Sequence, residues 1–175
     1  ATNPPLFISL DVLGADTQGG IGYMIQQELG NALRERGIES PVVSIVTQVE
    51  VDPRDPAFQY PTKPIGPFYS EEDARRRMGQ YGWIMQEDAG RGWRRIVASP
   101  KPIQIVEHAT IAHVIARGAV VIACGGGGIP VIQDTPGIFS GVAAVIDKDR
   151  TSCLLAKTMA VDAFVITTSV PVIQI

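Results

Sequence analysis

Four consecutive glycines, Gly125, Gly126, Gly127 and Gly128, end the apolar run that starts at Val120, and the chain resumes as Ile129-Pro130-Val131. Ordering glycine costs more entropy than ordering any other residue, so four in a row behind a strand need a reason. Close approach of backbone N–H groups to a phosphate or other anion is one; a flexible turn between strands is the other. The dinucleotide fingerprint fails, because its third glycine falls on Pro130, and no Walker Lys-Ser/Thr ending occurs in the chain. Downstream, Val142 to Asp149 reads VAAVIDKD and leads into the helix-like RTSCLLAKTMA. Asp147 or Asp149 then sits at or beside a helix N-cap, with Lys148 as an exposed neighbour, although a second glycine-rich strand exit nearby argues for more than a cap.

Two further groups carry charge in unusual settings. Lys63 lies between Pro61 and Pro64, which restrict the local backbone, so this lysine is either a solvated loop residue or one aimed at a target. Arg91, Arg94 and Arg95 cluster around Gly90, Gly92 and Trp93, as an anion-facing turn with stacking or as a well-dissolved hairpin. Histidine chemistry is poorly supported. His108 and His113 are five positions apart, which rotates them by about 140° on a helix, so they cannot share a metal there.

The elements that must hold these groups alternate in type. Asp16 or Thr17 is expected to cap a helix to about Arg36, with Ile21, Met24, Ile25, Leu29 and Leu33 on one side and Gly37 as its stop. Glycines near its start weaken it unless a neighbour packs closely there. Val42 to Val51 is apolar on both parities and reads as a strand covered on both faces. Ser70 with Asp73 resembles a capping box for a short helix through Met78. Trp83 to Glu87 and Trp93 to Val97 are set for a hairpin around Ala89-Gly90, and a helix is expected from Glu107 to Arg117, ending at Gly118. Strands at Val120, Val142 and Phe164 separated by helices imply α/β architecture, a layered sheet that is mostly parallel. Residues 53–100 read as a small turn-rich lid, with 1–52 and 101–175 forming the core.

A chain of 175 residues with 45% hydrophobic and 19% charged content is long enough for one domain with a real core. A net charge of −3 gives no electrostatic reason to bind nucleic acid. Two cysteines, Cys124 and Cys153, suggest no disulfide framework and fit a reducing compartment. No apolar run approaches the ~20 residues of a membrane span, so a cytoplasmic protein without membrane contact is expected.

The strings PTKPIGPFY, EDAGRGWRR, CGGGGIPV and VIDKD, with VTQVEVD and DPAF before them, closely resemble carbamate kinase, a member of the amino acid kinase family. The likeness runs from about Leu6 to the end and corresponds to the middle half of the family's chain. Nothing here matches the family's opening Gly-Gly-Asn loop, its later His-Gly-Asn-Gly segment or its C-terminal catalytic lysine. Thr168-Ser169-Val170 stands where the family often has Thr-Asp-Val.

The resemblance implies a three-layer αβα sandwich with a protruding lid, and reversible phosphoryl transfer between carbamoyl phosphate and ADP, in arginine or related nitrogen catabolism. By the same resemblance Lys63, Lys148 and Asp149 are catalytic, Gly125 to Gly128 line the substrate and phosphate side, and Thr167 and Thr168 approach the nucleotide. ATP/ADP is then the substrate and Mg2+ arrives with it, held mainly by phosphates and waters rather than a dedicated cage. A homodimer is implied as well. This stretch alone is expected to be inactive. The alternatives are a truncated, non-catalytic subunit that binds a partner or anion, and an amino acid kinase with another acyl acceptor.

Overall fold

The structure is a computed structural model that describes residues 8–167. Helix α1 (Leu10–Glu35) starts before the expected cap, with extended Ser9 at the N-cap position. Asp16 and Thr17 are interior residues, and Thr17 Oγ1 donates to the Leu13 carbonyl at 2.8 Å instead of capping a free N–H. The side of α1 that meets the rest of the fold is made of small and polar residues. Its buried positions are Gln18, Gly22 and Gly30, while Ile21, Met24 and Ile25 are exposed. Gly22 explains why a glycine is tolerated here, because a side chain at this position would run into the Ser44 hydroxyl.

The expected long strand divides into β1 (Val42–Ser44) and β2 (Gln48–Val51). Thr47 between them is fully buried, its side chain and backbone engaged with other elements. In β2 only Val49 and Val51 are buried and Gln48 and Glu50 are half-buried, so one face, not two, carries the core.

A small antiparallel sheet follows, built from β3 (Lys63–Tyr69), β4 (Met85–Glu87) and β5 (Trp93–Val97) in the order β3-β5-β4. The expected hairpin is present, with Met85 opposite Arg95 and Glu87 opposite Trp93. Helix α2 (Glu71–Tyr81) joins β3 to β4. Its Ser70 cap accepts the Asp73 N–H at 3.1 Å, three acids occupy its first turn, and Gly82 ends it with φ 64°. Acids at a helix N-terminus oppose the positive end of its dipole, which is why so polar a segment is helical.

Beyond the small sheet run β6 (Pro102–Ile105), α3 (His108–Ala116), β7 (Val120–Ile122), β8 (Ile129–Thr135), β9 (Ile138–Gly141) and α4 (Lys148–Thr158). Two pairings between distant segments are parallel: β1 with β7, and β2 with β8. Strands β6 and β9 add antiparallel edges, giving the order β6-β2-β8-β9. Around β2 the core gathers Val49, Val51, Ile105, Ile111, Cys124 and Ile146. Removing such apolar area from water is the main favourable term in folding.

Two expected strands are not formed among the described residues. Near Val142 only the parallel bridge Ala98–Ala144 survives, since a hydrogen bond from the Ala144 N–H to the Val142 carbonyl kinks the segment. At Phe164 no strand partner is present, and Val165 is 80% exposed. No helix of the described residues is long and apolar enough to cross a membrane.

Candidate functional site

The glycine turn is the geometric centre. Cys124 enters it with φ 56°, and Gly126, Gly127 and Gly128 follow at φ 65°, 104° and 84°. L-residues rarely adopt such values, so the backbone itself demands glycine here. Space demands it too: a Cβ on Gly127 would strike the Ile146 carbonyl oxygen, and one on Gly128 would strike Val49 Cγ2. The turn closes on itself through Gly127 N–H to Cys124 O at 3.0 Å and Gly128 N–H to Gly125 O at 3.1 Å. No described hydrogen bond uses the N–H of Gly125 or Gly126, and both residues are exposed. The four glycines therefore divide. Gly125 and Gly126 face outward, and Gly127 is buried packing.

A buried polar frame holds this turn, and the sequence alone did not reveal it. Gln18 on α1 accepts the Thr47 N–H at 2.8 Å and donates to the Thr47 carbonyl at 3.2 Å. The Thr47 hydroxyl accepts the Cys124 N–H at 3.0 Å, and Thr151 on α4 donates to the Gly127 carbonyl at 2.8 Å. Gln18, Thr47 and Thr151 are all buried with partners, as buried polar groups must be. The one available signal was a glutamine inside a helix read as apolar. Cys124 is framework as well: burial drives its thiol up to about 11, which leaves almost no thiolate at neutral pH.

Lys63 is the first residue of β3 and crosses to the N-terminus of α4, where its ammonium lies 3.2 Å from Asp147 Oδ2. Asp147 also caps α4 by accepting the N–H groups of Asp149 and Arg150 at 3.0 and 3.3 Å. Partial burial pushes the Asp147 carboxyl up. The Lys63 ammonium and the two N–H groups more than offset this, and its pKa lies below the ordinary carboxylate value. Spacing in sequence could not show this pair. Its members are 84 positions apart, and the partner of Lys63 is Asp147 rather than Asp149.

Lys148 pairs with Asp149 at 2.7 Å, which raises the lysine pKa. Lys148 opens α4, so its charge stands at the positive end of that helix dipole, a position an incoming anion would relieve. Asp149 also borders a groove of about 550 Å³ with Lys101, Arg150 and Cys153. Thr167 is exposed and belongs to no element, and Thr168 lies outside the described residues.

A cleft of about 460 Å³ lies over the turn. Its walls are the start of α1, the small sheet at Ile65, Tyr69 and Arg95, Trp83 just before β4, and the glycines 125, 126 and 128. Lys63 and Asp147 flank it in the chain, two residues from Ile65 and from Val145 respectively. Exposed amides line this cleft, and Lys63 and the N-terminus of α4 are close to its lining in the chain; amides, a cation and a helix N-terminus are the groups an anion or phosphoryl site uses.

This fold is that of the amino acid kinases, a mixed α/β core with an appended small sheet. The chain belongs to the carbamate kinase family. It is 56% identical over 161 residues to the carbamate kinase of Pyrococcus furiosus, a match covering 92% of this chain and 51% of that protein. The carbamate kinase of Giardia lamblia bound to citric acid superposes with a TM-score of 0.82 at 47% identity, covering 89% of this chain and 50% of that one. The same enzyme bound to AMP-PNP gives 0.77 at 46% identity, covering 89% and 49%. The chain spans about half the length of the curated relatives it matches. No protein-family model matches it.

Proposed function

We propose that this chain is the central portion of a carbamate kinase, which transfers a phosphoryl group reversibly between carbamoyl phosphate and ADP to give ATP and carbamate, in arginine or related nitrogen catabolism. The observation that carries the reading is the meeting of Lys63 with Asp147 beside the glycine turn. Relatives bearing the enzyme's name support it, one of them bound to the ATP analogue AMP-PNP.

Phosphoryl transfer spreads negative charge over the moving oxygens, and the attacking ADP oxygen is already anionic, so positioned cations and amides serve where a general base is not needed. Lys63 reaches the transferred group from the small sheet, which acts as a lid over residues 53–100. Lys148 meets it from the N-terminus of α4, oriented by Asp149 at 2.7 Å. The outward amides of Gly125 and Gly126 take phosphate-side oxygens, and Thr167 and Thr168 lie toward the nucleotide. Asp147 and Asp149 are each engaged by a lysine, so Mg2+ fits as a passenger of the nucleotide phosphates rather than in a protein cage. The free thiols Cys124 and Cys153 fit the cytoplasm. An assay of the full-length protein with carbamoyl phosphate and ADP should yield ATP. Turnover of ATP with acetylglutamate or aspartate, and none with carbamoyl phosphate, would sink the reading.

The assembly we propose is a two-fold homodimer. Helix α1 exposes Ile21 at 48%, Tyr23 at 62% and Met24 at 56%, an apolar run that a second copy covers. Sedimentation at micromolar concentration should show a dimer, and Met24→Glu should shift it toward monomer. A wild-type monomer would count against it.

A further inference from the structure

The arginine cluster around Trp93 divides sharply in the structure. Arg91 and Arg94 both pair with Asp88, at 2.8 and 3.4 Å, and both lie over the Phe68 ring. Arg75 and Arg76 on α2 have carboxylate partners of their own, Glu71 and Asp73. Arg95 has no carboxylate partner among the described residues. Its guanidinium lies 4.6 Å from the centre of the Trp83 ring and lines the cleft over the glycine turn. Burial pushes its pKa down, with Tyr69 as the one ionisable group acting on it in the other direction. Arginine nevertheless stays charged, so the cleft holds a half-desolvated cation without a counter-ion.

Strand register gives this cation an address. Lys63 pairs with Val97 and Ile65 with Arg95, so Lys63 and Arg95 project from the same face of the small sheet as diagonal neighbours. Such positions are about 7–8 Å apart at the backbone, within the span that two long side chains can bridge through one ligand. We propose that Arg95 grips the acyl end of the substrate, the carboxylate-like oxygens of carbamate, while Lys63 serves the phosphoryl end. The planar guanidinium offers paired donors to a planar carboxylate, which an ammonium cannot match. Trp83 holds that plane by stacking and takes up none of the donors. This inference rests on the carbamate kinase reading for the identity of the acyl group, but not for the existence of a two-ended anion site.

Phosphonoacetate, with a phosphonate at one end and a carboxylate at the other, tests it in the full-length protein by calorimetry, with inorganic phosphate as the one-ended control. Arg95→Met is expected to weaken phosphonoacetate binding at least tenfold and leave phosphate binding nearly unchanged. Arg95→Lys should recover only part of the loss and keep the fold if the methionine variant does not, and Arg91→Gln should bind both ligands as wild type does. In the kinase assay Arg95→Met should raise KM for carbamoyl phosphate and not for ADP. Wild-type phosphonoacetate affinity in Arg95→Met or Arg95→Lys overturns the proposal, as does an equal loss of phosphate and phosphonoacetate. An enzyme that makes no ATP from carbamoyl phosphate but loses phosphonoacetate selectively overturns the functional reading and leaves Arg95 standing.

Discussion

Lys63→Ala in the full-length protein is expected to lower kcat and kcat/KM for ATP formation together, by about 10²–10³-fold, with nucleotide binding nearly intact. The lysine is held at 3.2 Å from Asp147 at the mouth of α4, with only a quarter of its side chain exposed, so its charge is placed before any ligand arrives. A cation that is already in position needs no reorganisation as charge develops on the phosphoryl oxygens, and removing it forfeits transition-state stabilisation rather than ground-state affinity. Steady-state kinetics decide the point: a raised KM at constant kcat would make Lys63 a ground-state binder. Asp147→Asn should cost less, because an amide oxygen still caps α4 while the ion pair is lost. The sign of the pH effect follows. The Asp147 carboxyl is depressed in the folded protein, so the pair's contribution is complete above the unfolded value of about 3.9 and fades only as pH falls through the lower folded value. Activity near neutrality should show no inflection from this group.

Gly127→Ala is expected to destabilise the protein by about 2–6 kcal/mol, combining a backbone conformation that side chains rarely adopt with an overpacked contact. Gly127 sits at φ 104°, and the added methyl would meet the Ile146 carbonyl oxygen, backbone that cannot swing aside. A loss of that size is a large part of the roughly 5–15 kcal/mol that holds a typical domain together. Gly79→Ala on α2 is the matched control. It has no neighbouring atom within 4 Å and no positive φ, so it should gain about 0.5–1 kcal/mol. Thermal or denaturant unfolding of both variants checks the pair, and equal midpoints would show that the turn tolerates a side chain.

Local signals were legible in the sequence and contacts across the fold were not. The Ser70 cap, the hairpin around Ala89-Gly90 and the stop at Gly118 were readable, because each depends on a few neighbouring residues. The strings around Lys63, the glycines and Lys148 carried the family. Helix α1 misled, since Asp16 and Thr17 resemble a cap while Ser9 occupies that place, and since its inward face is Gln18, Gly22 and Gly30 rather than its isoleucines. Periodicity reports which side of a helix is apolar, not which side the fold covers. Likewise Gln18 with Thr47 and Lys63 with Asp147 join segments 29 and 84 positions apart, and only topology brings them together.

The bridge between Ala98 and Ala144, with the Val145 N–H donating to the Ala98 carbonyl at 2.9 Å, has a mechanical consequence. It pins the foot of the small sheet to the segment that runs into Asp147, and Lys63, opposite Val97, stands almost on that pin. The turn from Asp88 to Gly92 lies at the far end of β5, about 15 Å away at the usual rise per residue. The sheet is thus a lever whose fulcrum carries the lysine. A 10° rock sweeps the tip through nearly 3 Å, by the same length estimate, while Lys63 scarcely moves. Arg95 lies partway along the arm, so the same rock carries it further than the lysine. If the small sheet opens as the proposed lid, its tip can swing without dislodging the charge at the foot.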